Sequence, residues 1–155
     1  MVIELRDELR QGKPFESGQQ EAQLNVLRTA ALLLDAFDRL LVPYGITGTQ
    51  YNVLRILRGS EPDGLCRNEL RDRMLSRMPD VTRLLDRMEE SGLVERTRST
   101  EDRRLVTTHI TEKGGRLLDE LGPLVAEEHR RRFAHLSEGQ LRHLIELLTL
   151  VRNAG

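Results

Sequence analysis

The sequence predicts a mainly α-helical fold carrying one small β-hairpin, on three observations. Apolar residues recur at helical spacing along most of the 155 residues. Two short runs enriched in Leu, Val, Thr and Ile, Leu93 to Arg98 and Leu105 to Ile110, flank a polar loop, Ser99 to Arg104. Between the helical stretches stand residues that start and stop helices: Ser, Thr, Asn, Gly and Pro.

Residues 1–19 read as a polar lead-in. Ile3, Leu5 and Leu9 give at most a short amphipathic turn, broken by Gly12, Pro14 and Gly18. Residues 20–42 predict a long helix. Leu24, Leu27, Ala31, Leu34 and Leu41 fall near one seam, with Leu33, Phe37 and Leu40 widening it. Pro43, Gly45 and Gly48 make a turn, and Thr47 or Thr49 caps the next helix. There either Tyr51, Leu54 and Leu57 or Leu54, Ile56 and Leu57 face inward. Gly59 to Gly64 is a loop. Leu65 and Cys66 fit a very short third strand. Asn68 caps a short helix through Leu75, with Leu70 and Met74 inward.

The next helix carries Val81, Leu84, Leu85 and Met88 at i, i+3, i+4 and i+7, a single apolar stripe. Ser76 reads as its N-cap, Pro79 fits its first turn, Asp80 suits the positive end of the dipole, and Gly92 suits a left-handed stop. Together with the short helix before it, this makes a helix-turn-helix. The order helix, glycine stop, strand, Arg-bearing loop, strand, helix over residues 76–114 is that of a winged helix-turn-helix. Beyond the hairpin, Thr111 with Glu112 caps a long helix toward Phe133, with Leu117, Leu118, Leu121, Leu124 and Val125 on its apolar side and Pro123 at a bend. Ser137 caps the last helix, where Leu141, Leu144, Ile145, Leu148 and Val151 recur. These end helices are more apolar than a lone small domain requires. Shared between two copies, they would form a helical dimerisation region from both chain ends.

The face opposite the Val81 stripe carries Arg77, Asp80, Thr82, Arg83, Asp86 and Arg87. Arg binds guanine bidentately, and a Thr methyl can touch a thymine methyl. Asp80, Asp86 and Glu90 lie within helical reach of Arg83 and Arg87, so a solvated, salt-bridged face competes with a DNA-reading one. At the hairpin tip, Arg103 and Arg104 stand side by side. Folding does not need two adjacent like charges there, whereas a narrow minor groove attracts an inserted Arg.

Bulk properties exclude more than they assign. Net charge is −1, so composition by itself carries no nucleic-acid signal, and affinity must come from where the arginines sit. Lys13 and Lys113 are the only lysines. No apolar run approaches ~18 residues, and the start, MVIELRDELRQGK, has no hydrophobic targeting core. The lone Cys66 suits a reducing, cytoplasmic setting and reads as a small buried residue. His109, His129, His135 and His143 are scattered, none at metal-ligand spacing. With no Gly-rich phosphate loop and no G-x-S-x-G, the sequence points to no enzyme and no cofactor.

The stretch VTRLLDRMEESGLVERTRSTEDRRLVTTHITEKG resembles the core motif of the MarR family of bacterial transcription regulators. The matching pieces are Val81-Thr82-Arg83-Leu84, Asp86-Arg87, Gly92-Leu93-Val94-Glu95-Arg96, Asp102-Arg103-Arg104 and Ile110 to Gly114, and the likeness extends over roughly residues 20–153. Many members carry small polar residues where this chain has Met78-Pro79-Asp80. The resemblance implies one unit over 20–155, with dimerisation helices at 20–45 and 113–153 and a winged helix-turn-helix at 47–111. It implies an obligate homodimer, for which the operator would be palindromic; the helix face and the hairpin tip themselves offer Arg77, Thr82, Arg83 and Arg87 on the reading helix and Arg103 beside Arg104 at the wing. Arg104 would enter the minor groove, oriented by Asp102. It also implies a repressor released by a small aromatic or lipophilic effector, for which Phe37, Leu41, Tyr44 and Tyr51 are the cleft candidates.

A second reading makes the winged helix a protein-interaction module without DNA binding. Salt separates the two, because DNA affinity falls steeply as counterions compete for the phosphates.

Overall fold

A computed structural model describes residues 3–77, 80–99, 102 and 104–154. It divides into two compact units, Met1–Gly48 and Thr49–Gly155.

In the first unit the lead-in contains a short helix, α1 (Leu5–Glu8), whose Leu5 is buried. Glu8 and Arg28 pair at 2.6 Å. The long helix α2 (Gly18–Leu41) begins two residues before the periodicity does, because Ser17 accepts a hydrogen bond from the Gln20 amide and so caps it. Of its seam only Leu41 is buried; Leu27 and Leu34 are 58% and 62% exposed. A 3-10 turn over Val42–Tyr44 follows, closed by Gly45 in the left-handed region at φ 70°. Asp38 Oδ1 then accepts the Gly48 amide at 2.6 Å.

The second unit holds the winged helix. Helix α3 (Gly48–Arg58) leads to β1 (Leu65–Cys66), α4 (Arg67–Arg73), α5 (Val81–Glu90), β2 (Val94–Arg98), β3 (Val106–Ile110), α6 (Glu112–Phe133) and α7 (Glu138–Asn153). The strands form an antiparallel sheet in the order β1-β3-β2, with Leu65 and Arg96 both opposite Thr108. Leu65-Cys66 is thus the short third strand, and the hairpin strands each start one residue inside the predicted runs. Val53, Leu54 and Leu57 of α3, Leu70 of α4, and Val81, Leu85 and Met88 of α5 are buried, together with Leu118, Leu121 and Val125 of α6. Each such side chain removed from water contributes roughly 1.5–3 kcal/mol, which is what fixes the helices on the sheet.

Several boundaries differ from the sequence reading. Helix α5 starts at Val81, so Ser76 is not its cap. Asp80 is, through a 2.9 Å hydrogen bond from the Arg83 amide. Both residues suit an N-cap; the later start sets Val81, Leu85 and Met88 on one buried stripe. Helix α4 is capped by Cys66, not Asn68. The Glu69 carboxylate accepts the Cys66 amide at 2.8 Å while the sulfur accepts from the N3 amide. That bond holds the Glu69 carboxyl below its usual range. Asn68 therefore sits inside the first turn, and the helix stops at Arg73, leaving Leu75 91% exposed. In α3, Thr49 is inside the helix rather than at its cap, and Val53 joins Tyr51, Leu54 and Leu57 in the core, with Ile56 half-buried.

The start of α6 is fastened to the end of α5. Thr111 Oγ1 accepts the Gly114 amide at 3.1 Å and donates to the Gly92 carbonyl at 2.6 Å. Lys113 Nζ donates to the Ser91 carbonyl at 2.7 Å. Gly114 lies so close to the chain that a Cβ there would stand 2.4 Å from the Leu93 carbonyl oxygen. Pro123 lies inside α6. Ser137 caps α7 in a capping box with Gln140, and no residue of α7 is buried. No helix among the described residues is long and apolar enough to cross a membrane.

Candidate nucleic-acid interface

Thr82, Arg83 and Arg87 are exposed on α5. Whether the two arginines are free depends on where the nearby carboxylates go. Asp80 is engaged with the Arg83 amide as the helix cap. Asp86 and Glu89 are both taken by Arg96 of β2, each at 2.6 Å. Arg96 also donates its backbone amide to Glu89 at 3.0 Å. The guanidinium holds the Glu89 carboxyl below its usual range, and Glu89 in turn raises Arg96. Neither Arg83 nor Arg87 has a carboxylate partner among the described residues. Among the described residues the salt-bridged face that competes on helical spacing is therefore not formed: Asp80 caps the helix, Asp86 is taken by Arg96, ten residues on in sequence, and Glu90 pairs with neither arginine.

Arg77 is exposed in the connection ahead of α5, four residues before its first helical residue, and so is not on the reading helix. At the wing, the Ser99 amide donates to the Leu105 carbonyl and the Leu105 amide to the Asp102 carbonyl, both at 2.9 Å. Asp102 Oδ1 accepts the Arg104 amide at 2.9 Å. Asp102 thus shapes the turn through the Arg104 backbone, and the Arg104 side chain is exposed with no carboxylate partner among the described residues. Arg103, like Met78 and Pro79, lies outside the described residues.

A concavity of about 450 Å³ opens between the wing and the first turns of α4 and α5. Thr82, Arg96 and Arg104 line it, joined by Cys66, Arg67 and Asn68 from the start of α4. Neither Arg67 nor Asn68, which the sequence offered only as a helix cap, is among the sequence-predicted site residues. Arg67 Nη1 donates to Thr82 Oγ1 at 3.2 Å. The signal that would have found them is the Cys66-x-x-Glu69 capping box, which puts both in the first turn of α4.

The four cleft candidates do not line that concavity. Leu41 is fully buried and Tyr51 nearly so, while Phe37 and Tyr44 are half-buried. The Phe37 ring lies close to Gly48, where a Cβ would approach it to 3.0 Å. Among the described residues no cluster of three or more His, Cys, Asp or Glu could hold a metal ion.

Comparison with known proteins matches this arrangement. A family model described as MarR family covers residues 44–105, the helix-turn-helix and much of the wing. A Bacillus subtilis protein named an uncharacterized HTH-type transcriptional regulator, YkoM, is 32% identical over 105 residues, 68% of this chain and 67% of that protein. The crystal structure of a MarR transcription factor from Planctomyces limnophilus is 37% identical, with a TM-score of 0.67 over 88% of this chain and 99% of that one. CouR from Rhodococcus jostii RHA1, solved bound to p-coumaroyl-CoA, is 26% identical, with a TM-score of 0.73 over 91% of this chain and 98% of that one. By these likenesses and by its winged helix, the chain belongs to the MarR family of DNA-binding transcription regulators.

Proposed function

We propose that this regulator is a homodimeric repressor that grips a palindromic operator and lets go when a small aromatic or lipophilic effector binds. The observation that carries the DNA-reading part is the engagement of Asp80 as the helix cap and of Asp86 by Arg96, so that among the described residues Arg83 and Arg87 stand beside Thr82 without a carboxylate partner. Arg104, at the tip of the wing turn that Asp102 shapes, supplies the minor-groove contact, with Arg103 beside it. Arg77 contributes from the connection before α5, as a backbone contact rather than a base reader.

Dimerisation rests on surfaces left open. Ile145, Leu150 and Val151 of α7 are 57%, 67% and 68% exposed, and α2 leaves Leu27 and Leu34 open as well. On this reading residues 20–45 and 113–153 join two copies, residues 47–111 read DNA, and the two reading helices enter successive major grooves ~34 Å apart. That an effector binds is supported by the likeness to CouR, solved bound to p-coumaroyl-CoA. Phe37, Leu41, Tyr44 and Tyr51 are the effector candidates here. An effector that fits only the DNA-incompetent spacing lowers operator affinity by its differential binding.

The test is a footprint of the purified protein on the DNA upstream of its own gene, followed by titration at rising salt. Arg104→Ala is expected to weaken binding and flatten the salt dependence by ~0.9 in slope if one phosphate-field contact is lost. Arg83→Ala is expected to relax base preference by ~1–3 kcal/mol at one position. A protein that ignores all duplexes in dilute salt would end this reading. For the effector, release of the footprinted fragment by phenolic acids is the measurement. Tyr51→Ala with unchanged release would remove Tyr51 from the candidates.

A further inference from the structure

We propose that Arg67 is a further DNA-contact residue: a guanidinium steadied by the Thr82 hydroxyl where a backbone phosphate passes between the reading helix and the wing. The proposal rests on the DNA-binding reading above and adds a residue from the preceding helix to it.

Arg67 is exposed in the first turn of α4, and its Nη1 donates to Thr82 Oγ1 at 3.2 Å. The two residues lie fifteen apart in sequence, so the contact ties the first turns of the two helices of the helix-turn-helix together. A guanidinium has five donors and no acceptor, so one bond to a hydroxyl leaves donors over. The Thr82 hydroxyl, by accepting from Arg67, holds the guanidinium in place. Both residues line the 450 Å³ concavity that Arg104 bounds from the wing side.

Charge within that concavity is uneven. Arg96 is neutralised by Asp86 and Glu89. Glu69, the acid nearest to Arg67 in sequence, is turned to the Cys66 amide. Arg67 and Arg104 are left without a carboxylate among the described residues. Two uncompensated guanidinium groups flanking one groove suit a run of phosphodiesters, each of which offers acceptors and a single negative charge. The contact is thus expected to be indifferent to base identity.

The experiment uses a duplex enriched from a randomised library by the wild-type protein, with an unrelated duplex of equal length as control. Arg67→Ala is expected to lower affinity for both duplexes by a similar factor, roughly tenfold, and to reduce the salt slope by ~0.9. Thr82→Val keeps the methyl and loses the hydroxyl. Its effect on the unrelated duplex is expected to vanish when Arg67 is already Ala, since the hydroxyl acts there through the guanidinium. Arg67→Gln, which keeps a donor for Thr82 but no charge, is expected to lose the salt term and retain the melting temperature. Unchanged affinity and slope in Arg67→Ala would overturn the proposal while leaving the DNA reading intact. Strict additivity of the two substitutions would overturn the steadying role. A wild-type protein that enriches no duplex would remove the reading beneath the proposal, and the proposal with it.

Discussion

At the scale of single residues, the deciding contact is made by Arg96, a side chain that need not touch DNA at all. Asp86 lies three residues after Arg83 and one before Arg87, close enough to Arg83 to pair on an isolated helix. In the folded chain Arg96 has claimed it. Removing that claim should therefore injure binding indirectly. Arg96→Ala is expected to lower operator affinity several-fold, as Asp86 turns to Arg83, and Asp86→Asn in the same molecule is expected to restore most of it; gel-shift titration of the three variants reads this out. The loss in stability should be small, about 1 kcal/mol, since both acids are partly exposed. Sequence shows which residues lie three or four apart along a helix, but not which strand will return beside it. That is why the competing salt-bridged face stayed open on sequence and closes only with the sheet in place. Arg67 was invisible for the same reason: its partner, Thr82, is a tertiary neighbour with no periodic signature.

At the scale of elements, the joint between α5 and α6 explains the run Thr111-Glu112-Lys113-Gly114. Thr111 caps one helix while donating to the chain that ends the other, and Lys113 satisfies a carbonyl left over at the α5 terminus. Gly114 permits the approach, with Leu93 O at 2.4 Å from where a Cβ would stand. Because that neighbour is backbone, it has little room to give. Gly114→Ala is expected to cost about 3 kcal/mol, lowering the melting temperature by roughly 10 °C in a thermal melt. The clasp of β2 on α5 predicts an acid dependence. Glu89 titrates below the ordinary carboxylate range because Arg96 holds it charged, so the folded state binds its proton less readily than the unfolded one. Its stabilisation is complete above the unfolded value of ~4.3 and is lost as pH falls through the lower, folded value. Glu128, held charged by Arg131 and Arg132, adds in the same direction. Melting temperatures should thus fall on acidification below about pH 4, and Glu89→Gln should flatten that fall. Element types were legible throughout, since stripes, strand runs and the Thr111 and Ser137 caps carry local signals. The starts of α4 and α5 were not: Ser76 and Asp80, or Asn68 and Cys66, satisfy capping chemistry comparably, and the choice is made by which start buries Leu70 or Val81.

At the scale of the whole molecule, the proposed homodimer is tested on the surface of α7, where Ile145, Leu150 and Val151 are exposed. Ile145→Glu places a charge in the middle of that surface, where Ile145 is now 57% exposed. Sedimentation of this variant is expected to show a monomer, with affinity for a two-half-site operator falling toward that for one half-site; a dimer of unchanged stability would mean that α7 is not the contact. The apolar periodicity of the end helices was readable from sequence, because Leu and Ile recur there at helical spacing. The fastening of Lys113 and Thr111 onto the last carbonyls after α5 also has a mechanical corollary. A helix of 22 residues has a contour of ~33 Å, and the near end of α6 is fastened to the chain that ends α5. If the proposed effector tilts the remote end by a few degrees, α6 would act as a tiller, and a push far from the nucleic acid would be felt at α5 as a change of heading.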